Sequence, residues 1–381
     1  MDALMIAVIA ALPVLIWLYL LACRGRFWRA DPAERATVAV PGGKRVIVVI
    51  PARNEAALIG ATITSLARQN FAGAIECIVV DDGSTDGTAE AAAAAARASG
   101  VLAVRVIRGE PLPRGWTGKL WAQAQGVAAA RELQPDFLLF TDADIEHGPA
   151  SVGSLVADAE VNGRDLVSRM VRLSTAGPAE RLLIPAFVFF FFKLYPPAWV
   201  AAPRRRVAAA AGGCILIRPE ALERLGGLAT IRSQIIDDCA LARAVKHRGG
   251  RISLALAGET RSLRRYASAA EIGAMISRTA FAQLGHSYLL LGLTLAGMFV
   301  TYLLPVTLLF VGNPLTTACA VGALLLMSAC YWPMVRFYRL APFWCLCLPL
   351  IATFYTAAVV HSALQYARGR GGSWKGRAQD V

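Results

Sequence analysis

The sequence predicts an α/β fold with a mostly parallel sheet, on a chain that also enters a membrane through one N-terminal helix and about three C-terminal helices. Three observations point there. The 381 residues are 56% hydrophobic with a mean hydropathy of +0.50, too apolar for an ordinary soluble domain and too polar for a bundle of spans alone. Residues 4–23, 288–311, 315–335 and 342–362 carry no Asp, Glu, Lys or Arg and have the roughly 20-residue length of a bilayer-crossing helix. Between these terminal segments, apolar β-branched runs alternate with helical patterns, as in a parallel sheet covered on both faces.

The first apolar segment reads as an uncleaved anchor. A cleaved signal has its positive charge before the apolar run, whereas here Asp2 precedes it and Arg24, Arg26 and Arg29 follow. The positive-inside bias then puts the large domain in the cytoplasm, and the expected location is multi-pass in a bacterial inner (cytoplasmic) membrane. Arg336 and Arg339 mark the 336–341 loop as cytoplasmic, which suits three spans leaving a cytoplasmic domain. Arg368, Arg370, Lys375 and Arg377 would then lie outside. Either one segment is re-entrant or the tail breaks the bias, and the sequence leaves that choice open. The expected organisation is an anchor over 1–24, a linker over 25–44, a sheet domain over 45–287, C-terminal membrane helices over 288–365 and a basic tail over 366–381.

A net charge of +13 invites a nucleic-acid reading, but no nucleic-acid-binding motif is present. Arg204 to Arg206 and Arg261/Arg264/Arg265 suit anionic lipid headgroups instead. Cys77, Cys214 and Cys239 lie far apart and the other cysteines fall in or beside apolar spans, so neither a zinc site nor a disulfide framework is indicated.

The sheet domain opens with Lys44 to Pro51, a β-branched run, and a helical pattern from Glu55 to Gln69. A second unit has a strand from Ile75 to Val80, an exit loop beginning at Asp81 and an alanine-rich helix from Asp86 to Ala98. Residues 103–107 give a third strand, 117–133 a helix and Asp136 to Thr141 a fourth strand. Parallel sheets bind ligands at the carboxyl ends of their strands, so the informative residues should follow strands. They do: Pro51-Ala52-Arg53-Asn54-Glu55, Asp81-Asp82-Gly83-Ser84-Thr85-Asp86-Gly87 and Thr141-Asp142-Ala143-Asp144. Taken alone, Asp-Gly-Ser after a strand is equally a turn and helix cap. Asp142 and Asp144, where a buried strand meets solvent, suit a hard divalent cation, Mg²⁺ or Mn²⁺, which needs one or two carboxylates besides substrate phosphate oxygens. There is no Gly-x-Gly-x-x-Gly and no Walker motif, so dinucleotide oxidoreductase and P-loop readings lose their support.

These three motifs, in this order, resemble those of family 2 glycosyltransferases with the GT-A fold, and the resemblance covers roughly 45–290. It extends to Asp237-Asp238-Cys239-Ala240-Leu241, similar to the family's acidic-Asp-x-x-Leu segment with Asp where Glu is more usual. Gly115-Trp116-Thr117-Gly118-Lys119 with the C-terminal spans is similar to the hopanoid-associated branch. The resemblance implies a nucleotide-sugar donor, with Asp81 and Asp82 near base and ribose and Pro51, Ala52, Asn54 and Glu55 shaping that pocket. It implies Asp144, assisted by Asp142, as the metal site and Asp238 as the general base, with Asp237 beside it. Lys119 would face the donor diphosphate, or equally be a solvated lysine at a helix start. Asp237 and Asp238 could instead be helix N-caps.

The acceptor expectation is a lipid, possibly a hopanoid or another polyisoprenoid. Phe187 to Phe192 form an aromatic run, and residues 182–200 suit either the bilayer interface or a buried core helix. Gly213 and Cys214, just before another apolar strand, suit approach to donor sugar or acceptor, or a tight turn. After Asp238 the nearest match to the processive family members' Gln-x-x-Arg-Trp is Arg278 to Leu284, so single-sugar transfer is favoured. Spans without intramembrane charge argue against a transporter. A nucleotidyltransferase would want more than the single Arg53 in its first loop, and an inactive nucleotide-sugar-binding scaffold remains the alternative. Donor sugar, acceptor and oligomeric state are not written in the sequence.

Overall fold

A computed structural model describes residues 3–33, 43–369, 373–374 and 377–378. Parts of the expected linker and of the basic tail, including Arg370 and Lys375, lie outside the described residues. In chain order the elements are α1 (Ala3–Ala22), β1 (Arg45–Ala52), α2 (Ala56–Ala67), β2 (Ala74–Asp81), α3 (Thr88–Ser99), β3 (Ala103–Arg108) and α4 (Gly118–Ala130). Next come β4 (Phe137–Thr141), β5 (Ile145–Glu146), α5 (Ser151–Val161), β6 (Leu166–Arg172), α6 (Pro178–Leu194), α7 (Pro197–Ala201) and β7 (Cys214–Ile217). Then follow α8 (Pro219–Arg224), α9 (Asp237–His247), β8 (Ile252–Ser262), α10 (Ala269–Gln283), α11 (Tyr288–Met298) and α12 (Leu304–Leu308). The last are α13 (Pro314–Phe337), α14 (Leu348–Ala367), β9 (Ser373–Trp374) and β10 (Arg377–Ala378).

The chain divides into two compact units. The sheet unit comprises Asp31–Ser174, Trp199–Arg265 and Ser373–Val381, and the helical unit Met1–Ala30, Thr175–Ala198 and Tyr266–Gly372. Residues 175–198 and 266–287, which the sequence groups with the sheet domain, thus cluster with the apolar helices.

In the sheet unit, eight strands run in the order β3-β2-β1-β4-β7-β6-β8-β5. β1 is central because all but its first residue is buried, and it pairs in parallel with β2 and β4. The expected strand and helix order from 45 to 141 is therefore present. β7 runs antiparallel between β4 and β6, so the sheet is mixed beyond β4. Val46, Val48 and Ile50 of β1 pack with Ile59, Ile63, Val79 and Leu139 in one core. Gly126 lets α4 lie close on the sheet: an added Cβ would collide with Val49 Cγ1. α3 begins after Gly87 (φ +85°) and ends at Gly100 (φ +66°), left-handed positions that glycine fills without a Cβ clash.

In the helical unit, α11 continues through a π-turn at Phe299–Leu303 into α12, and Pro342–Cys347 form a 3-10 turn before α14. Five helical stretches have the length and composition to cross a membrane, Pro178–Ala201 among them. The chain path excludes that crossing for Pro178–Ala201. β6 before it and β7 after it are hydrogen-bonded neighbours, and Arg204 to Arg206 bar a return through hydrocarbon. The carbonyls of Trp199, Val200 and Ala201 accept from Lys246 and Arg164, so the last three residues of α7 already belong to the sheet unit. The aromatic run of α6 is mostly buried, with Phe189 5.2 Å from Phe27 and 5.0 Å from Tyr331 between ring centroids.

Candidate active site

The loops after β1 and β2 are laced together by their own side chains. Asn54, at φ +52°, accepts Thr85 N–H on Oδ1 (2.9 Å) and donates its own N–H to Ser84 Oγ (3.0 Å). Asp81 Oδ1 accepts Ser84 N–H, and Gly109 N–H reaches the Asp81 carbonyl at 2.8 Å. Asp86 caps α2 through Ala56 N–H (3.0 Å), and its bond from Thr88 holds its carboxyl below the usual range. Part of the Asp-Gly-Ser-Thr-Asp run is thus scaffold. Asp82 is turned inward against Arg53 (3.6 Å), and Pro51 and Ala52 are buried, so these shape the pocket through the backbone. Asp81, half-buried at a carboxyl strand end, keeps access to a ligand.

The loop after β4 places its two carboxylates against different cations. Asp142 Oδ1 meets Lys119 Nζ at 2.7 Å, and Lys119 Nζ lies 3.7 Å from Asp237 Oδ2. Lys119 is only 16% exposed, so the solvated-lysine alternative fails. Burial alone would lower its pKa, but Asp142, Asp237 and Asp238 outweigh that and hold the ammonium charged well above its usual range. Asp144 is buried and accepts Ser262 Oγ at 3.0 Å and Arg264 Nε at 3.1 Å on Oδ2. Arg264 also pairs with Glu55. Arg261 meanwhile pairs with Glu146 but stays exposed, so of the two it is Arg264 that is drawn into the site.

α9 brings its first turn to the same place. Asp238 Oδ2 accepts Gly212 N–H at 2.8 Å and Oδ1 accepts Cys239 N–H at 2.7 Å. Burial, and then the neighbouring Asp237 carboxylate, raise Asp238 to about 6, while Lys119 pulls it back down. Ile236 makes no side-chain cap, but the Asp238 bond to the Cys239 N–H satisfies a free donor of the first turn of α9, so the carboxylate also caps the helix it starts. An added Cβ at Gly212 would stand 3.2 Å from Lys119 Nζ and 3.3 Å from Asp238 Oδ2, which explains the glycine. A small cavity beside Asp237 and Asp238 is floored by Leu120, Gln123 and Phe140. Cys214 is fully buried in β7, so only its backbone borders the site.

Behind Asp142 and Asp144 lies a buried relay that the sequence reading missed. Gly148 N–H donates to Thr260 Oγ1, Thr260 to Ser151 Oγ, and Thr141 Oγ1 to the Gly213 carbonyl. His147 closes it, with Nε2 2.9 Å from Thr141 Oγ1 and Nδ1 3.3 Å from Ser151 Oγ. The hydroxyl directions assign its proton to Nε2, and burial lowers its pKa to about 4. Arg264 was visible in sequence only as part of a basic cluster; its place at the end of β8, next to the strand that follows Asp144, is a tertiary fact.

Among the described residues no group of three His, Cys, Asp or Glu surrounds a metal position. Mg²⁺ and Mn²⁺ take one or two carboxylates and complete their shell from water and substrate phosphates. The all-oxygen donor set of Asp142 and Asp144 fits such an ion, and Asp144 Oδ2 alone makes the bonds to Ser262 and Arg264.

Residues 47–226 match the profile of Glycosyl transferase family 2. An uncharacterized protein of Methanocaldococcus jannaschii is 34% identical over 128 residues, 33% of this chain and 47% of its own length. The 4,4'-diaponeurosporenoate glycosyltransferase of Staphylococcus haemolyticus is 38% identical over 101 residues, 26% of this chain and 24% of its own. The chain thus spans less than half the length of these curated relatives. Among solved structures, mannosyltransferase PcManGT from Pyrobaculum calidifontis in complex with GDP-Man and Mn2+ is similar at a TM-score of 0.55 and 19% identity, over 96% of this chain and 99% of that one. That likeness shows the fold: the α/β GT-A sheet.

Proposed function

We propose that this chain is a membrane-bound, non-processive, inverting family 2 glycosyltransferase that moves a sugar from a nucleoside diphosphate donor to a lipid hydroxyl. One observation carries the reading. Lys119 joins Asp142 to Asp237 immediately beside Asp238, a buried carboxylate raised to about 6, so a charge-binding side and a base meet at one strand edge.

Transfer requires a diphosphate to leave while an acceptor hydroxyl attacks the anomeric carbon. Asp81 and the laced loops after β1 and β2 hold the nucleoside, with Asn54 fixing the loop that presents it. Asp144 and Asp142 are the residues that would hold a divalent cation, which would supply Lewis-acid neutralisation of the leaving diphosphate. Lys119 adds a fixed positive charge on that side. Asp238 takes the hydroxyl proton as attack proceeds; a carboxylate near 6 is mostly ionised at pH 7 yet basic enough to accept it. One base and one displacement invert the anomeric centre. Support for the cation and donor comes from the GDP-Man and Mn2+ bound by the PcManGT structure of like fold. Support for a lipid acceptor, and for a cytoplasmic-face enzyme of a bacterial inner membrane, comes from the apolar helices and the Arg24, Arg26 and Arg29 flank. A hopanoid or other polyisoprenoid is the acceptor class that the sequence resemblance favours.

The test is transfer of label from a panel of radiolabelled nucleotide sugars into extracted bacterial lipids by membranes holding the wild-type chain or Asp238→Asn. Label in lipid that vanishes with EDTA and with Asp238→Asn supports the proposal. Donor binding without turnover in the wild type under every metal condition would make the chain a binding scaffold instead.

A further inference from the structure

We infer that α14 does not cross the bilayer: with the 3-10 turn before it, it is a re-entrant hairpin, so the described residues cross three times, and the chain after α14 returns to the face from which α11 sets out. This rests on the membrane reading above, and on nothing about catalysis.

α12 and α13 form a hairpin closed by residues 309–313. At its closed end Ala10 of α1 packs with Leu308 and Ala320. Further along, Trp17 Nε1 donates to the Thr301 carbonyl at 3.0 Å, so α1 runs antiparallel to α11 and α12 and parallel to α13. The open end therefore holds the end of α1, the start of α11 and the end of α13. Phe189, which touches both Phe27 and Tyr331, ties the first and third together.

Pro342 leaves from that open end, four residues after Tyr338 caps α13. The turn Pro342–Cys347 packs back along α13. A 20-residue helix such as α14 rises about 30 Å. Had it crossed, Tyr366 would stand at the closed end, about that distance from the start of α11. Instead the Tyr366 ring stacks on His286 at 4.2 Å, two residues before α11 begins, and lies 5.3 Å from Phe281. The register is continuous: Ser277 Oγ donates to the Ala358 carbonyl at 2.9 Å and Phe281 N–H to Ser362 Oγ at 3.0 Å. α14 thus runs parallel to α10, whose Glu271 and Arg278 keep that helix out of hydrocarbon. Both ends of Pro342–Ala367 lie at the open end.

Two further facts agree. Phe343, Leu346 and Leu350, at the dip of the hairpin, are exposed apolar side chains suited to lipid. Ser373–Trp374, just beyond α14, belong to the sheet unit. The charge pattern now has one sense: Arg24, Arg26, Arg29, Arg336, Arg339 and Arg368 share a face, and the conflict posed by the basic tail disappears.

The experiment uses the full chain with one epitope tag, placed at Asn162 in the sheet unit, at Gly312 in the hairpin loop or after Val381, in sealed membrane vesicles of either orientation treated with protease. The tags at 162 and 381 should be lost together in one orientation and the tag at 312 only in the other. A tag at 381 that follows the tag at 312 overturns the inference. Release of the chain by alkaline carbonate overturns the membrane reading, and with it this one, while inactivity as a transferase touches neither. Where a tag prevents accumulation, Val311→Cys and Arg368→Cys, both at exposed positions, report the same sides by their gain in labelling with an impermeant maleimide over the parent chain.

Discussion

Lys119 Nζ lies 2.7 Å from Asp142 Oδ1 and 3.7 Å from Asp237 Oδ2, so one ammonium joins the loop after β4 to the first turn of α9. Lys119→Met leaves these carboxylates facing one another and removes the charge that holds Asp238 down. The variant should lose about 100-fold in kcat/KM, a barrier of about 2.7 kcal/mol. Its acid limb should also move to higher pH, because Lys119 lowers Asp238 in the wild type. A pH–rate profile shows both effects, and an unshifted limb would separate Lys119 from Asp238.

Asp238 must be ionised to act as a base, so activity should fall with decreasing pH through about 6. Burial is the first cause of that value and the Asp237 charge the second. Asp237→Asn should therefore move the limb to lower pH while Asp238→Asn abolishes it, with a loss of about 10²–10⁴-fold at pH 7. Initial rates from pH 5 to 8 with saturating donor decide the matter. Loss in Asp237→Asn equal to that in Asp238→Asn would reassign the base.

Much of this site was legible because it follows from local rules. Carboxylates after buried strands are visible as Val80-Asp81 and Thr141-Asp142, and the helix start at Asp237 is visible as an acidic pair before an apolar pattern. Residues whose role depends on a partner far along the chain were not. Arg264 reaches Glu55 across 209 positions and Gly212 meets Lys119 across 93, and no periodicity records either. β6 and β8 were likewise unread, since Leu166 to Arg172 and Ile252 to Ser262 mix charge with apolar residues and find their register against each other and against β7 and β5. Composition leaves residues 182–200 either in the bilayer interface or in a buried core helix; the pairing of β6 and β7 on either side of them in one sheet is a tertiary fact that composition does not encode.

Arg264 binds Asp144 and Glu55 at once, so it neutralises the carboxylate proposed as metal ligand. Arg264→Gln removes that competing charge. The half-saturating Mn²⁺ concentration should fall severalfold, while KM for the donor rises because the Glu55 loop loses its tie to β8. A metal titration of transfer activity, paired with donor saturation curves, reads both. Unchanged values in both would confine Arg264 to folding.

Gly212→Ala tests how closely the base and the lysine are fitted. The new methyl would sit 3.2 Å from Lys119 Nζ and 3.3 Å from Asp238 Oδ2 on a residue whose N–H already binds that carboxylate. The neighbours can yield by a few tenths of an ångström, so stability should change by less than about 1 kcal/mol. Geometry should suffer more, with kcat down about 10-fold or more. Wild-type kcat with a lowered melting temperature would place Gly212 in packing alone.

His147 gives the fold an acid weakness just behind the catalytic loop. In the folded chain burial lowers it to about 4, whereas an unfolded histidine titrates near 6.5. Between those values the unfolded chain binds the extra proton, so stability is retained above about 6.5 and lost as pH falls toward 4. The relay says why. Ser151 donates to Nδ1 because Thr260 already donates to Ser151, and a protonated Nδ1 would meet a hydroxyl turned the wrong way. The loss should be on the order of 2 kcal/mol at pH 4.5 relative to pH 7. His147→Gln cannot charge, so its melting temperature should fall less over that range, even if it starts lower at pH 7. Parallel thermal melts of the two chains at pH 7 and 4.5 measure the difference, and equal slopes would mean that His147 takes its proton without opening the loop that carries Asp142 and Asp144.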